Sequence, residues 1–405
     1  MEVFQGKIWV SGQGLTEACV GVEDGKIHSV KKILNGDKST KISGILLPSA
    51  LDMHVHFRDP GYPHKEDWAS GSQSAAFGGV TAVVDMPNTN PFTSDQKTFA
   101  DKVKIATSKS VVDFGVGINV EPGLVDRTWF DTIPSAFWKL YPYDITSEDY
   151  FGLAEQVLSK TKKPLVIHGE HPDFMDDKPL TNLADHTDNR LKAEPECLSR
   201  MPPSPYLHIA HLSTFEGFKR KPSLATSEVC PHHLLLNLDI CHSINCKVDP
   251  PLRTKFDNQG LYKAFKQGKI PILASDHAPH TVDEKESSTP PSGMPGVETM
   301  VPLMLNEVSE GRLDLERLVD AMSVQPASRL GLDRGKIAEG QPADLIEVDL
   351  KDKTKISTDI LHSKANWTPF EDWQAIFPSR VYRRGELIVD NGNLVLETGG
   401  QNLFS

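Results

Sequence analysis

The sequence predicts an α/β protein, a (β/α)8 TIM-like barrel carrying a small β-sandwich domain formed from both chain ends. Three observations lead there. Short β-branched apolar runs alternate with helical stretches through the middle of the chain, eight such runs can be counted, and polar residues cluster at their ends. The 405 residues also leave room for a barrel of about 250 residues and a smaller unit besides.

Composition narrows the class. With 38% hydrophobic and 24% charged residues, and no apolar run near the ~18 residues of a membrane span, the sequence reads as soluble. Glu2 and Lys7 stand where a secretory signal would have a basic start and an apolar core, so cytoplasmic residence is the expectation. The five cysteines, Cys19, Cys197, Cys230, Cys241 and Cys246, are odd in number and contain no CxxC pair, so all are expected as reduced thiols. A net charge of -12 without any basic block excludes nucleic acid as a partner, and any anion site must be built from local cations.

In chain order, residues 1–45 carry short alternating runs with a hairpin signal at Asp24-Gly25, and residues 336–398 repeat the pattern with Asn391-Gly392. These two ends are expected to form the small composite β domain. Between them, 46–335 makes the barrel, with strands near 45–57, 80–87, 112–118, 136–141, 164–168, 207–212, 223–229 and 271–275. His54, His56, Asn88, Lys139, His168, His211, His232, His233, Asp276 and His280 lie at the ends of these strands, which a barrel opens onto one face. The 281–293 stretch, rich in Ser and Pro without periodicity, reads as a mobile loop at that face.

The chemistry starts at Asp52-Met53-His54-Val55-His56-Phe57-Arg58. Residues two apart on a strand share a face, so His54 and His56 can bind one cation while Met53, Val55 and Phe57 pack the other way. Alone, such a pair is as readily a pair of core histidines. His168, His211 and Asp276 each close a further apolar strand, and burying all five apart would require a partner for each, whereas one metal site satisfies them together. Four imidazoles and a carboxylate can serve two divalent ions, which need an anion between them. Lys139 admits two readings: an ammonium reaching the solvent at the rim, or a lysine carboxylated by carbon dioxide that bridges both metals.

Several ordered motifs resemble those of the type I dihydroorotases, cyclic amidohydrolases of the amidohydrolase superfamily. They are His54-Val55-His56-Phe57-Arg58-Asp59-Pro60-Gly61, Met86-Pro87-Asn88-Thr89, Lys139-Leu140-Tyr141, Pro231-His232-His233-Leu234, Pro250-Pro251-Leu252-Arg253, Ser275-Asp276-His277-Ala278-Pro279-His280 and Gly293-Met294-Pro295-Gly296-Val297-Glu298-Thr299. The match runs from about residue 44 to 335, and Gly335-Lys336-Ile337-Ala338-Glu339-Gly340-Gln341-Pro342-Ala343-Asp344-Leu345 is similar to the superfamily's return into its small β domain.

The resemblance implies two Zn²⁺ per chain, one held by His54, His56 and Asp276 and one by His168 and His211, with carboxylated Lys139 bridging them. It implies substrate contacts from His56, Arg58, Asn88, His280 and the Pro295-Gly296 backbone. Where many relatives carry Asn, this chain has Asp249. An ionised carboxylate beside a dianionic substrate is unfavourable unless it is protonated, paired with Arg253 or turned away, so Asp249 is the outlier among the expected substrate contacts. His232, His233, Glu170 and Asp52 read equally as supports of the ligands or as rim residues.

The implied reaction is the reversible cyclisation of N-carbamoyl-L-aspartate to L-dihydroorotate in de novo pyrimidine biosynthesis. Asp276 would be the catalytic proton shuttle and Arg58 the anchor of the substrate carboxylate. Allantoinase, hydantoinase and dihydropyrimidinase share the metal machinery, but hydantoin and dihydrouracil lack the carboxylate that Arg58 and Asn88 would bind. A catalytically inactive barrel serving an aspartate transcarbamoylase would be expected to lack ligands, and none is missing. Two assemblies stay open for an active enzyme, a homodimer and an association with an aspartate transcarbamoylase.

Overall fold

The chain opens with β1 (Glu2–Val10), β2 (Gly14–Glu23), β3 (Lys26–Lys31) and β4 (Lys38–Pro48) in a computed structural model that describes residues 1–130, 132–175 and 182–405. Asp24 and Gly25 take φ of 48° and 76°, which matches the right-handed strand twist, and they join β2 to β3 with Glu23 opposite Lys26.

Parallel strands follow: β5 (Ala50–Val55), β6 (Val80–Asp85), β7 (Asp113–Val116), β8 (Ile118–Asn119), β9 (Trp138–Leu140), β10 (Leu165–Ile167), β11 (Leu207–Ile209), β12 (Thr226–Val229) and β13 (Ile272–Leu273). The expected 112–118 strand is divided at Gly117 into β7, paired with β6, and β8, paired with β9. Gly117 N–H donates to the Asp85 carbonyl at 3.0 Å and so keeps the two ladders in step. At the other end Val55 bridges His277, and His56 N–H donates to the His277 carbonyl at 2.8 Å. Since parallel strands end on the same side, their last residues share one rim.

Both faces of these strands are apolar, as a parallel sheet under helices requires. Leu51, Ala82, Val84, Val166, Ala210 and Ile272 form one buried cluster, while Val83, Leu140, Ile167, Ile209 and Leu273 belong to another that includes helix residues such as Trp68 and Ala76. The helices start where Asp or Thr accepts a backbone N–H three residues on: Asp67 from Ser70, Asp95 from Thr98, Thr146 from Asp149, Thr214 from Gly217 and Thr254 from Asp257.

One strand departs from strict alternation. Asp52 pairs with Val83 and Val55 with Asp85, so β5 carries an extra residue against β6. Met53 therefore lies with Leu51 and Val84, whereas Val55 and Phe57 pack with the helix side, contrary to the expectation that all three share a face.

β14 (Leu345–Val348) returns antiparallel to β4, and β17 (Arg380–Arg383), β18 (Glu386–Asp390) and β19 (Asn393–Leu394) extend it. One eight-stranded sheet results, in the order β19-β18-β17-β14-β4-β1-β2-β3, joining both chain ends. Phe4, Ile8, Val20, Ile27, Leu345 and Tyr382 form its buried cluster. Asn391 and Gly392, at φ 48° and 76°, turn β18 into β19 as the sequence predicts. Between β14 and β17 the chain leaves this sheet: β15 (Thr354–Lys355) pairs with β16 (Gln374–Ala375), and Ile356, Phe370 and Ala375 pack on Leu252, Met294 and Leu303.

An ionic cluster ties the sheet to β7. Arg334 reaches Asp344 at 2.5 Å and Asp113 at 3.1 Å, and Arg384 also pairs with Asp113. Asp113→Ala would leave Arg334 buried with a single carboxylate, so it should lower unfolding stability by about 1.5–3 kcal/mol, measured by urea titration.

Two expectations need correction. Cys241 and Cys246 are bonded to each other rather than reduced, while Cys19, Cys197 and Cys230 are free and buried. Turns closed by Cys241 N–H on Asn237 and Cys246 N–H on Ser243 fold the segment back on itself, a local geometry that cysteine parity does not report. The 281–293 stretch is not wholly irregular, since Thr281 and Glu284 form a capping box on the short helix Val282–Lys285. Among the described residues no helix is long and apolar enough to cross a membrane.

Candidate metal and substrate site

The strand ends converge on a cavity of about 280 Å³ lined by His54, His56, Lys139, His168, His211 and Asp276, with Arg58, Asn88, Asp249 and His280 around them. Ring centroids lie 5.4 Å apart for His54 and His56, 5.2 Å for His54 and His211, and 4.6 Å for His168 and His211. Asp276 Oδ1 is 3.3 Å from His54 Nε2 and 3.1 Å from His56 Nε2. His54, His211 and Asp276 each offer a ligand atom within 4.8 Å of the others. Arg58, His211 and Asp276 all adopt positive φ, of 62°, 35° and 48°. Non-glycine residues held in that region at one site mark backbone fixed for side-chain placement.

Neighbouring carboxylates and amides set the histidine tautomers. His54 Nδ1 bonds Glu228, which also takes His208 Nε2 at 3.1 Å and His211 N–H at 3.3 Å. Burial opposes ionisation of Glu228, but His54 and His208 outweigh it and hold the carboxyl below the usual range. His56 Nδ1 meets Asn88 Oδ1 at 2.6 Å, and His168 Nε2 meets Glu170 Oε2 at 2.7 Å. In each ring one nitrogen is thus engaged from behind, leaving the other for the cavity. Burial pushes His56 and His211 well below the ordinary imidazole value, which favours the neutral ring that a metal ion would require.

Lys139 is fully buried, and its Nζ has no hydrogen-bond partner among the described residues. The rim reading fails, because the amine does not reach solvent. Burial pushes it down to about 8, which enlarges the neutral fraction that can react with carbon dioxide. His211 Nδ1 is likewise buried without a partner. Two orphaned nitrogens beside imidazoles and a carboxylate form a donor set that fits divalent metal ions.

Around this centre Arg58 is buried, donates Nε to the Pro279 carbonyl at 3.3 Å and lies 3.2 Å from His280 Nε2. No carboxylate of the described residues lies in ion-pair range of it. Asp249 is neither turned away nor paired with Arg253: its Oδ1 sits 2.8 Å from His186 Nε2 and 3.4 Å from Arg190. Burial opposes its ionisation, yet His186 and Arg190 prevail and hold the carboxyl below its ordinary range. Arg253 instead donates to Ser213 Oγ and the Arg190 carbonyl.

Pro295 and Gly296 are not brought to this cavity. They line a neighbouring crevice with Glu298, Trp367 and Thr368, and Gly296 N–H donates to His277 Nδ1 at 3.1 Å. Asp52 accepts the backbone N–H of His54 and of Ser275, both at 3.1 Å, and so braces the chain beside His54 and Asp276, as Glu170 braces the His168 ring. His233 Nε2 is 3.1 Å from the Pro250 carbonyl, behind Asp249, while His232 Nε2 is buried without a partner. Sequence reasoning missed Glu228, Tyr141 and Tyr143 as parts of the site, whereas the 281–293 stretch it placed at this face does line the cavity through Pro291, Ser292 and Gly293. For Glu228 a signal existed, an acid one residue before the end of the expected 223–229 strand.

The profile of the amidohydrolase family matches residues 234–388. A dihydroorotase of Methanosarcina acetivorans is 35% identical, over 92% of this chain and 89% of its own. That of Halobacterium salinarum is 36% identical, over 94% of this chain and 97% of its own. Among solved structures, the L-hydantoinase (dihydropyrimidinase) of Arthrobacter aurescens superposes with a TM-score of 0.90 at 25% identity, covering 100% of this chain and 99% of that one. A dihydropyrimidinase from Brevibacillus agri gives 0.87 at 22% identity, over 100% and 99%, and shows the shared fold alone.

Proposed function

The chain belongs to the dihydroorotase family of amidohydrolases, and on that premise we propose how its site interconverts N-carbamoyl-L-aspartate and L-dihydroorotate. The observation that carries the proposal is Arg58, a buried guanidinium without a carboxylate partner among the described residues, beside a cluster of imidazoles, Asp276 and an orphaned lysine. Two zinc ions, one on His54, His56 and Asp276 and the other on His168 and His211, would supply an activated water and polarise the amide carbonyl. Lys139, once its neutral amine has added carbon dioxide and released a proton, would help to hold both ions, with a carboxylate in place of a repelled cation.

Arg58 holds the substrate carboxylate by charge-assisted hydrogen bonds, with Asn88 and His280 on either side. Asp276 takes the proton of the attacking water and returns it to the ring nitrogen as the C–N bond breaks; ring closure runs the same steps backwards. Asp249, hydrogen-bonded to His186 and within 3.4 Å of Arg190, has its charge partly offset where it borders the cavity. His56 serves both as ligand and, through Asn88, as a wall of the substrate pocket, whereas a role for the Pro295-Gly296 backbone would require the crevice beside His277 to open into the cavity.

We read the parallel strands as a (β/α)8 barrel over 46–335, supported by the Val55–His277 bridge between first and last strands. The eight-stranded sheet is read as the composite β-sandwich of 1–45 and 336–398, less the excursion through β15 and β16.

Parallel assays on dihydroorotate, hydantoin, dihydrouracil and allantoin, with metal analysis of the same preparation, test the function. Turnover of dihydroorotate alone is the expected result, and preference for a ring without a carboxylate would overturn it. Arg58→Met removes a charge-assisted pair worth about 1.5–3 kcal/mol, so kcat/KM for dihydroorotate should fall at least ~10-fold at unchanged metal content.

A further inference from the structure

Lys285, at the end of the short helix Val282–Lys285, is a fully buried amine with no carboxylate of the described residues in ion-pair range; burial pushes it down to about 7, and the carbonyls around it favour the ammonium form. Its Nζ donates to the carbonyls of Lys247 at 3.0 Å, Pro291 at 2.9 Å and Gly293 at 2.9 Å. An ammonium has three N–H donors, and all three are used. The acceptors belong to two segments, one leading into Asp249 and one bordering the cavity. The Trp367 ring lies under the ammonium at 5.5 Å, and its indole N–H donates to the His280 carbonyl at 2.8 Å.

We propose that Lys285 is a positioning residue that holds the 290–293 segment against the mouth of the cavity, and so sets substrate affinity rather than bond-breaking. The proposal rests on the dihydroorotase reading of the site. Pro291, Ser292 and Gly293 line the cavity, and the Ser292 carbonyl lies 3.1 Å from Nε2 of His280, the neighbour of Arg58. Gly293 N–H donates to the Lys247 carbonyl at 3.0 Å, at φ 133°, where an added Cβ would come within 2.4 Å of the Ala278 carbonyl. The segment is therefore seated closely, and Lys285 is the hub of that seat. Without the ammonium, three carbonyl dipoles converge on an empty space, so the segment must part from Lys247 to reach water. Lys285 itself touches no reacting atom. Its loss should weaken ground-state and transition-state binding alike, which raises KM and spares kcat.

The test uses the metal-loaded full chain as wild type, Lys285→Met and Lys285→Arg. Lys285→Met should raise KM for dihydroorotate about 10-fold with kcat within about 3-fold of wild type. Amide hydrogen exchange over 288–293 should speed up at least ~10-fold, with metal content unchanged and partial recovery in Lys285→Arg. Unchanged KM or unchanged exchange in a folded Lys285→Met protein overturns the proposal, as does a fall in kcat at constant KM. Exchange needs no turnover, so a wild type inactive on dihydroorotate would sink the functional reading while the clamp is still judged. If neither variant folds, wild-type exchange decides: protected Ser292 and Gly293 amides without substrate support the clamp, and exchange at unstructured-chain rates overturns it.

Discussion

Lys139→Ala is expected to lose bound metal and activity together, with a rate loss on the order of 10³-fold or more, while the chain stays folded. Lys139 is fully buried and lacks any hydrogen-bond partner among the described residues, so as an ammonium it contributes little that would stabilise the fold. Burial that pushes its amine down to about 8 enlarges the neutral fraction that can add to carbon dioxide. The product is a carboxylate on a long stem, placed among His54, His168 and His211, and it supplies the anion that two divalent ions need between them. Alanine removes that anion and leaves a hole of the same length. Acetate or propionate should therefore restore part of the metal content and part of the rate, in proportion to the acid added. Metal analysis and kinetics on one preparation check both. Activity lost with metal retained, or a loaded structure showing a plain ammonium at Lys139, would remove the bridging role.

Most of the parallel strands were legible because they are compact apolar runs, and the cavity residues because polar residues at strand ends are conspicuous. What stayed hidden depends on contacts between distant segments. Met53 was expected beside Val55 and Phe57, but the extra residue in β5 is a property of its pairing with β6 and leaves no mark in the local pattern. Gly117 looked like the interior of one strand, although it is where two ladders meet. Trp367 falls in a stretch grouped with the small β domain, yet it packs over the rim at His280. For Asp249 the sequence raised the right difficulty and named the wrong partner, since His186 lies 63 residues earlier and only the fold brings it near. The Cys241–Cys246 bond was missed for a simpler reason: parity and CxxC spacing address frameworks and metal sites, not a pair closed within one turn.

Asp276→Asn should keep at least one metal and lose ~10²-fold or more in kcat in both directions, the usual scale for a lost general acid–base. Asp276 Oδ1 stands within 3.3 Å of both His54 Nε2 and His56 Nε2, where a ligand oxygen belongs, and asparagine retains one such oxygen. What the amide cannot do is accept the water's proton and return it to the departing nitrogen. The pH dependence carries a sign. Burial pushes the Asp276 carboxyl up, against His54 and Lys139, whereas a divalent cation on its oxygen pulls it down. Ring opening needs the ionised carboxylate, so its rate should rise as pH climbs through the loaded-state value; ring closure needs the acid form and should rise as pH falls. In Asp276→Asn both limbs should flatten, because the group that titrates is gone. Rate–pH profiles of the wild type and variant, measured in each direction on metal-matched samples, separate this from simple metal loss. A doubly loaded Asp276→Asn protein that turned over dihydroorotate near the wild-type rate would pass the shuttle to another group, with His280, 3.2 Å from Arg58, the next residue to test.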